Sequence, residues 1–579
     1  MKITARRAAC AGLAAAVASL GVLAPAEAKE KPRPAKANHF LSAQLLSFND
    51  FHGHLEAEDD DTLDEELDPG QTVVGGAEHL ATVLDQLRAG AENRSLTVAA
   101  GDLIGGSPFL SALFHDEPSV ASLEELGLDL TSVGNHEFDE GTDELLRMQY
   151  GGCHPEDGCY FEDEPYDGAD FPWLAANVVE KSSGDTLLPG TAIRKVKGAR
   201  IGFIGMTLED TPTLVSPAGV ADVEFRDEVE TADAQAAALR ERGVEAIVVL
   251  LHEGGYQEGT YDECVGPSGP VVEIAEQMTA DVDMLITGHT HQPYVCSIPD
   301  PEGQPRLVTS AASYGRVVTE TDLVIDRRTK DVDRDRTTAT NHLVPQSAPA
   351  DPAQTAIIEK WDALASVVGG QVVGSVAEDI TGDADTTNRD VETPMADVVA
   401  DAFLAATDGP DEGGAQIAVQ NVGGTRDSLY FDEISAGEQP GEITYKEAFD
   451  VVPFGNRLVT ITLTGDQLER ALEQQYVPTR GRPTLALGVS EGFTYEWDAS
   501  QPQGERVVPG SMMLDGAPVD PSGEYRVALA NFLQEGGDQF TVFTEGTDLL
   551  GGPEDVPAFT AYLGANPGLT APADRVDGL

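Results

Sequence analysis

Short apolar runs that end on polar turns recur through the first half of the chain. Residues 44–48, 96–100, 130–133, 246–251 and 284–287 are nearly unbroken in apolar character, as expected of strands covered on both faces. Between them, apolar positions at helical spacing predict amphipathic helices over 77–88 and 228–242. This alternation implies a sheet sandwiched by helices, with functional residues in the loops past the strand ends. A charged, strand-poor stretch over 326–351 marks a boundary, and 351–368 reads as a connector helix with Ile357, Ile358, Trp361 and Leu364 on one face. A second, α+β unit follows from about 370, with strands at 371–376, 416–420, 457–463 and 525–530 and a helix at 394–405. The two halves share no repeat.

The turns that end the apolar runs carry the chemistry. Asn49-Asp50-Phe51-His52-Gly53-His54 follows the first, Gly101-Asp102 the second and Gly134-Asn135-His136-Glu137-Phe138-Asp139 the third. His252 ends the fourth and Gly288-His289-Thr290-His291 the fifth. One histidine at a strand end is ordinarily a hydrogen-bonded structural residue; Asp, Asn and His at every such end make a ligand set. Asp50, His52, Asp102, Asn135, His252, His289 and His291 offer more mixed oxygen and nitrogen ligands than one tetrahedral ion takes. They suit two adjacent divalent cations, with Asp102 as the bridge. Zn, Mn, Co and Mg all fit such donors. A cation pair sharing a hydroxide is suited to in-line attack on phosphorus. His54 is read as a neighbour of this set, outside it.

Composition narrows the partners. The net charge of -64, from 36 Lys+Arg against 100 Asp+Glu, repels nucleic acid and anionic lipid. It also leaves an anionic substrate in need of local positive charge. Lys2, Arg6 and Arg7, an apolar run over 8–23 and Ala26-Glu27-Ala28 describe an export signal cut after Ala28. Residues 1–28 are therefore expected to be removed and 29–40 to form a flexible lead-in. The mature protein is expected to be secreted or cell-wall associated, monomeric and free of membrane insertion. Cys10 leaves with the signal, and Cys153, Cys159, Cys264 and Cys296 remain. Export favours two disulfides, and of the three pairings Cys153–Cys159 with Cys264–Cys296 is expected, since the first closes a short Gly-rich loop. Metal binding by these four lacks a C-x-x-C pair to support it. The acidic stretch 56–68 reads as a solvated insertion.

The second half supplies what the acidic surface withholds. Arg389 stands at the start of a helical segment, and Asn421-Val422-Gly423-Gly424-Thr425-Arg426 follows a strand. Paired glycines such as Gly424 and its neighbour let backbone approach a ligand, and Arg forks suit phosphate or ribose oxygens. Phe454, in Pro453-Phe454-Gly455-Asn456, and Phe532 sit on loops where two aromatics can sandwich a base. Asp538, after Gly536-Gly537, offers a carboxylate to a ribose diol.

Together these motifs resemble the exported 5'-nucleotidases, the family that includes the bacterial 5'-nucleotidase/UDP-sugar hydrolase and the animal ecto-5'-nucleotidase. The resemblance implies an α/β protein: a four-layer αββα metallophosphoesterase domain over 41–335, a linker with a connector helix over 336–369 and an α+β nucleotide-binding domain over 370–579. It implies Asp50, His52, Asp102 and His291 on one metal, and Asp102, Asn135, His252 and His289 on the other. His136 and Asp139 are implied to form a dyad that stabilises the transition state or assists the leaving oxygen. Phe454 and Phe532 are implied to hold the base, Asn456 to read its edge, Asp538 to take the ribose, and Arg389, Asn421 and Arg426 to contact ribose or phosphate. A second Arg found beside Arg389 in some bacterial members has no evident counterpart. The implied activity is hydrolysis of nucleoside 5'-monophosphates, extending to di- and triphosphates or UDP-sugars, with rotation of one domain against the other. The nearest alternative is a 2',3'-cyclic phosphodiesterase/3'-nucleotidase, which tends to carry Asn where this chain has Asp139. A non-catalytic nucleotide-binding surface protein is the alternative from another class.

Overall fold

Alternating strands and helices build two six-stranded sheets face to face in the first half of the protein. The computed structural model describes residues 39–579 apart from 59–60, 92–93, 156, 162–163, 216–218, 383–388, 411 and 481. The export signal and most of the lead-in lie outside the described residues. One sheet runs Thr338–Leu343, Val317–Asp326, Phe40–Phe48, Ser95–Ala100, Leu130–Ser132 and Trp173–Leu174 in spatial order. The other runs Tyr294–Pro299, Pro305–Ser310, Met284–Thr287, Ala246–His252, Ala199–Thr207 and Thr191–Val196. Leu45, Val98, Leu130, Phe203, Val248, Met284 and Leu323 interdigitate between the sheets. The outer faces are covered by helices, among them Ala77–Ala89 on one side and Glu228–Glu241 on the other. Phe40–Phe48, Ser95–Ala100 and Leu130–Ser132 pair in parallel, as do Ala246–His252 and Met284–Thr287. Parallel pairing delivers the turns of each set to one end of its sheet.

Two expectations need correction here. The segment read as strand-poor carries Thr338–Leu343, an edge strand antiparallel to Val317–Asp326. Its sequence, Thr-Ala-Thr-Asn-His-Leu, is polar because only one neighbour and little core face it. The acidic insertion is not simply solvated, since Leu63 and Leu67 pack against Ala311, Ala312 and Val317. Both disulfides pair as expected, Cys153 with Cys159 and Cys264 with Cys296.

The connector is the helix Pro352–Gly369, begun by Asp351, whose side chain accepts from the N–H groups of Ala353 and Gln354. Trp361 and Ala365 bury against the first half. In the second half, a five-stranded sheet runs Leu487–Val489, Ile417–Asn421, Glu524–Ala530, Arg457–Thr464 and Thr547–Glu554. Ile417, Val419, Ile461 and Val527 face the helix Gly465–Glu473, while Ala418, Leu458 and Ala528 face Pro394–Thr407 and Asp555–Ala565. Leu458 pairs with Ala530, and Ile417–Asn421 runs parallel to Glu524–Ala530. Asn421, the 454–456 loop and the 531–538 loop therefore emerge at one edge of this sheet.

Candidate functional site

The ends of the parallel strands converge on a buried cluster of carboxylates and imidazoles. Asp50, His52 and His291 form one group whose donor atoms lie within 4.8 Å of one another, and Asp102, His252 and His289 form another. His252 Nε2 is 2.8 Å from Asp102 Oδ2, His52 Nε2 is 3.7 Å from the same oxygen, and His291 Nε2 is 3.4 Å from Asp50 Oδ1. Asn135 Oδ1 lies 3.0 Å from His289 Nδ1. The backbone is bent to reach this arrangement: Asp50, His52, Asp102, His289 and His291 all take left-handed conformations, with φ of 50°, 46°, 49°, 72° and 56°. Such conformations cost energy in non-glycine residues and gather at functional sites. Gly134 is required by close approach, because a Cβ there would collide with the Asp102 carboxylate and the His252 ring.

Hydrogen bonds on the far side fix which atom each side chain turns inward. His52 Nδ1 and His252 Nδ1 each lie 2.7 Å from a backbone carbonyl, of Gly105 and Ala100 respectively, so each ring donates outward and aims Nε2 at the centre. Asp102 Oδ1 accepts the His136 N–H at 2.8 Å, which leaves Oδ2 for the cluster. Asp50 accepts from the His289 N–H and from Asn49 Nδ2. His52 Nε2 is buried and has no hydrogen-bond partner among the described residues. A lone pair facing two carboxylates is repelled unless a cation lies between them, so this donor set fits divalent metal. Burial pulls His252 down, yet Asp102 and Asp50 carry it up to about 10, so with no cation in the cluster a proton on this ring meets the carboxylates. Burial and His252 push His289 down to about 3, so it stays in the neutral, ligating form.

His136 and Asp139 stand beside the cluster on a single turn. His136 Nδ1 is 2.7 Å from Asp139 Oδ2, and its ring centroid is 4.8 Å from that of His52. Burial opposes the charged imidazole, but Asp139 and Asp102 outweigh it and raise the His136 pKa. Glu137, absent from the residues singled out in the sequence, holds the turns together. Its carboxylate accepts the N–H groups of Asp102 at 2.9 Å and Leu103 at 2.8 Å, and also that of Gly134.

The loops of the second half close over this cluster across one cavity of about 360 Å³. His52, Asp102, Asn135, His136, Asp139, His289 and His291 line one wall; Arg389, Asn421, Gly424, Arg426, Phe454, Asn456, Phe532 and Asp538 line the other. Asp50 and His252 lie beneath the floor, fully buried. The Phe454 ring lies over His136 at 6.2 Å between centroids, and the Arg426 guanidinium sits 5.6 Å from the Phe454 ring. Asn421 Nδ2 donates to Asp538 Oδ2 at 3.0 Å. Arg389 lies in a turn ahead of the helix Pro394–Thr407, not in its first turn. Burial, Arg482 and Arg426 together push its pKa down to about 9.

The cavity wall also holds residues that the sequence did not single out. Arg480 and Arg482 belong to it, and Arg482 is close enough to Arg389 for its charge to lower that guanidinium's pKa. Arg480 is buried, and its Nε and Nη1 have no hydrogen-bond partner among the described residues. Tyr314 packs edge-on against His52 and His291, and His54 stacks on it at 3.9 Å, away from the ligand cluster. Two arginines within Thr479-Arg480-Gly481-Arg482 are a legible signal in so acidic a chain. Tyr314 has no such signal.

Two family models match the chain: calcineurin-like phosphoesterase over residues 44–293 and the 5'-nucleotidase C-terminal domain over residues 372–545. The chain is 32% identical to endonuclease YhcR of Bacillus subtilis over 92% of its own length and 40% of that protein's. It is 31% identical to cell wall protein Lmo0130 of Listeria monocytogenes, over 90% of its own length and 66% of that protein's. The chain thus spans less than two thirds of the length of both. A probable 5'-nucleotidase of Treponema pallidum is 26% identical, with 86% of this chain and 87% of that one covered. Among solved structures, a 5'-nucleotidase precursor from Thermus thermophilus superposes with a TM-score of 0.72 at 26% identity, covering 93% of this chain and 99% of that one.

Proposed function

We propose that the chain, which belongs to the 5'-nucleotidase family, is a phosphate-monoester hydrolase that releases phosphate from nucleoside 5'-monophosphates. The observation that carries this reading is the cavity itself, with the Asp/His cluster and His136 on one wall and the Phe454, Phe532 and Arg426 loops on the other. The family works with divalent metal. We assign Asp50, His52, Asp102 and His291 to one ion and Asp102, Asn135, His252 and His289 to a second. Bound there, the metal would supply charge to the phosphate oxygens and lower the pKa of a water.

The chain's own residues do the rest. Asp139 holds His136 Nδ1 and favours the charged ring, which leaves Nε2–H free to donate to a phosphoryl or leaving oxygen. Arg426 and Arg389 hold phosphate in an otherwise acidic protein. Phe454 and Phe532 stack on the base, and Asp538, steadied by Asn421, takes the ribose hydroxyls. Phe454 also covers His136 and keeps bulk water from it. Asp139 favours the 5'-nucleotidase reading over the 3'-nucleotidase alternative. Export, to the medium or the cell wall, is supported by the two disulfides and by similarity to a protein named for the cell wall.

The test is a panel of 5'- and 3'-monophosphates, diphosphates and UDP-sugars, run on protein stripped by chelation and then supplied with Zn, Mn, Co or Mg in turn. Phosphate release from AMP or another 5'-monophosphate that needs added metal is expected. Full turnover in the stripped protein, or nucleotide binding without turnover in metal-replete buffer, would overturn it.

A further inference from the structure

A second gathering of ligand-type side chains lies away from the cluster described above, where three segments of the first half meet. His115 comes from the turn between the helices Phe109–Ala112 and Glu117–Glu125. Glu140 stands at the start of Gly141–Tyr150. His154 and Asp157 both belong to the loop closed by the Cys153–Cys159 disulfide, where His154 and Gly158 exchange backbone hydrogen bonds at 3.1 and 3.0 Å. The cystine therefore fixes one imidazole and one carboxylate on the same short ring before any ligand arrives.

The orientation of these groups is that of a metal site. His115 Nδ1 lies 2.9 Å from Glu140 Oε2 and 3.0 Å from Oε1, so Glu140 takes its N–H and turns Nε2 the other way. Metal-ligating histidines are ordinarily held by a carboxylate or carbonyl in this manner. Nε2 then faces Asp157 Oδ2 at 2.8 Å, and His154 Nδ1 approaches the same oxygen at 3.7 Å. His154 Nδ1 accepts the Asp157 backbone N–H at 3.2 Å, a hydrogen bond that an ion at this nitrogen would replace. The two rings stack at 3.7 Å between centroids with 19° between planes, too close for both to be charged without cost. One donor atom from each of His115, His154 and Asp157 falls within 4.8 Å of the other two, and the histidine side chains are 18% and 12% exposed. Both His115 nitrogens lie at hydrogen-bond distance from a carboxylate, so in the ion-free protein a proton sits between Nε2 and Asp157 where the ion would lie.

We infer that His115, His154 and Asp157, with Glu140 orienting His115, form a binding site for a borderline transition-metal cation of the zinc class. Two nitrogen donors and one carboxylate select such an ion over calcium or magnesium, and water completes a tetrahedron. The ion would tie the cystine loop to Glu140, the residue next to Asp139. A small cavity lined by His115 and Glu140 on one side and His136 and Asp139 on the other lies between the two sites.

The inference is independent of the nucleotidase reading and is tested by metal uptake. Wild type, His154→Ala and Asp157→Asn are stripped, reloaded with zinc, dialysed and analysed for bound metal, with far-UV circular dichroism and melting temperature reporting that the variants are folded. Each variant is expected to hold one equivalent of zinc less than wild type while keeping the wild-type circular dichroism spectrum. Equal zinc content in wild type and variants would overturn the assignment. If a variant fails to fold, anomalous diffraction from a zinc-soaked wild-type crystal decides: a peak between His115 Nε2 and the His154 ring supports the site, and its absence there removes it.

Discussion

Glu137 is the residue whose replacement separates metal ligation from the scaffolding that makes ligation possible. Its side chain is buried and touches no ligand group of the cluster by hydrogen bond; it accepts backbone N–H groups from Asp102, Leu103 and Gly134. Burial, then the charge of Asp102, push it up to about 7, while the Gly134 and Leu103 N–H groups work against the rise. Glu137→Gln keeps the shape and one acceptor oxygen but turns an NH2 toward backbone donors. Hydrogen bonds to charged acceptors contribute about 1.5–3 kcal/mol each, and a buried donor facing a donor adds a further penalty. The expected loss is on the order of 3 kcal/mol, or a fall in melting temperature of roughly 3 °C for a protein of this size. Because Asp102 N–H is one of the three donors, the Asp102 turn shifts, with an expected loss of about 10–100-fold in metal affinity. Displacement near 1 Å at the reacting centre adds about 10²-fold in kcat/KM. Calorimetric melting of the stripped protein, metal titration and steady-state phosphate release read the three effects separately. A Glu137→Gln protein that melts and binds metal as wild type would refute the scaffolding role, whatever its rate.

Four other outcomes are expected. Asp102→Ala or His136→Ala abolishes measurable AMP hydrolysis, as chelation does, while melting temperature stays near wild type for His136→Ala. Phe532→Ala raises KM for nucleotides by about 5- to 100-fold, the worth of stacking on one base, and leaves hydrolysis of a small aryl phosphate unchanged. Arg480→Met raises KM for nucleotides but also raises the melting temperature of the ligand-free protein, because a buried guanidinium with unpartnered N–H groups is removed; a variant unchanged in both would show that Arg480 does not face substrate. Asp397 faces Glu392 and Arg575, whose guanidinium also pairs with Asp401, and burial followed by Glu392 pushes Asp397 up to about 8. A carboxyl with a raised folded pKa stabilises below its unfolded value and loses that contribution as pH rises. Asp397→Asn is therefore expected to match wild type near pH 4 and to exceed it by a margin that widens as pH rises from 4 to 8, in denaturant titrations across that range.

What could be read from the chain and what could not divide along a physical line. The strands over 246–251 and 284–287, and the ligands that end them, were legible because a strand covered on both faces is written as an unbroken apolar run whose end is marked by the first polar residue. The helices Ala77–Ala89 and Pro352–Gly369 were legible from spacing and from the Asp351-Pro352 start. The strand Thr338–Leu343 was not, because an edge strand facing solvent is polar by necessity. Tyr314 was illegible for another reason: it comes from an irregular loop, and its packing on His52, His54 and His291 is set by contacts between segments far apart in the chain. Glu137 lay in plain sight inside Gly134-Asn135-His136-Glu137-Phe138-Asp139, but a carboxylate beside a ligand and a base reads as another ligand or a solvated charge. Only the three backbone N–H groups converging on it identify a brace. The left-handed backbones of Asp50, His52, Asp102, His289 and His291 point the same way: Asp and His enter that region more readily than most residues, so the chemistry of the ligand and the bend that aims it are supplied by one residue. A turn of this kind is recognisable in sequence by its ligand and becomes a site only when neighbouring turns, and braces such as Glu137, hold it bent.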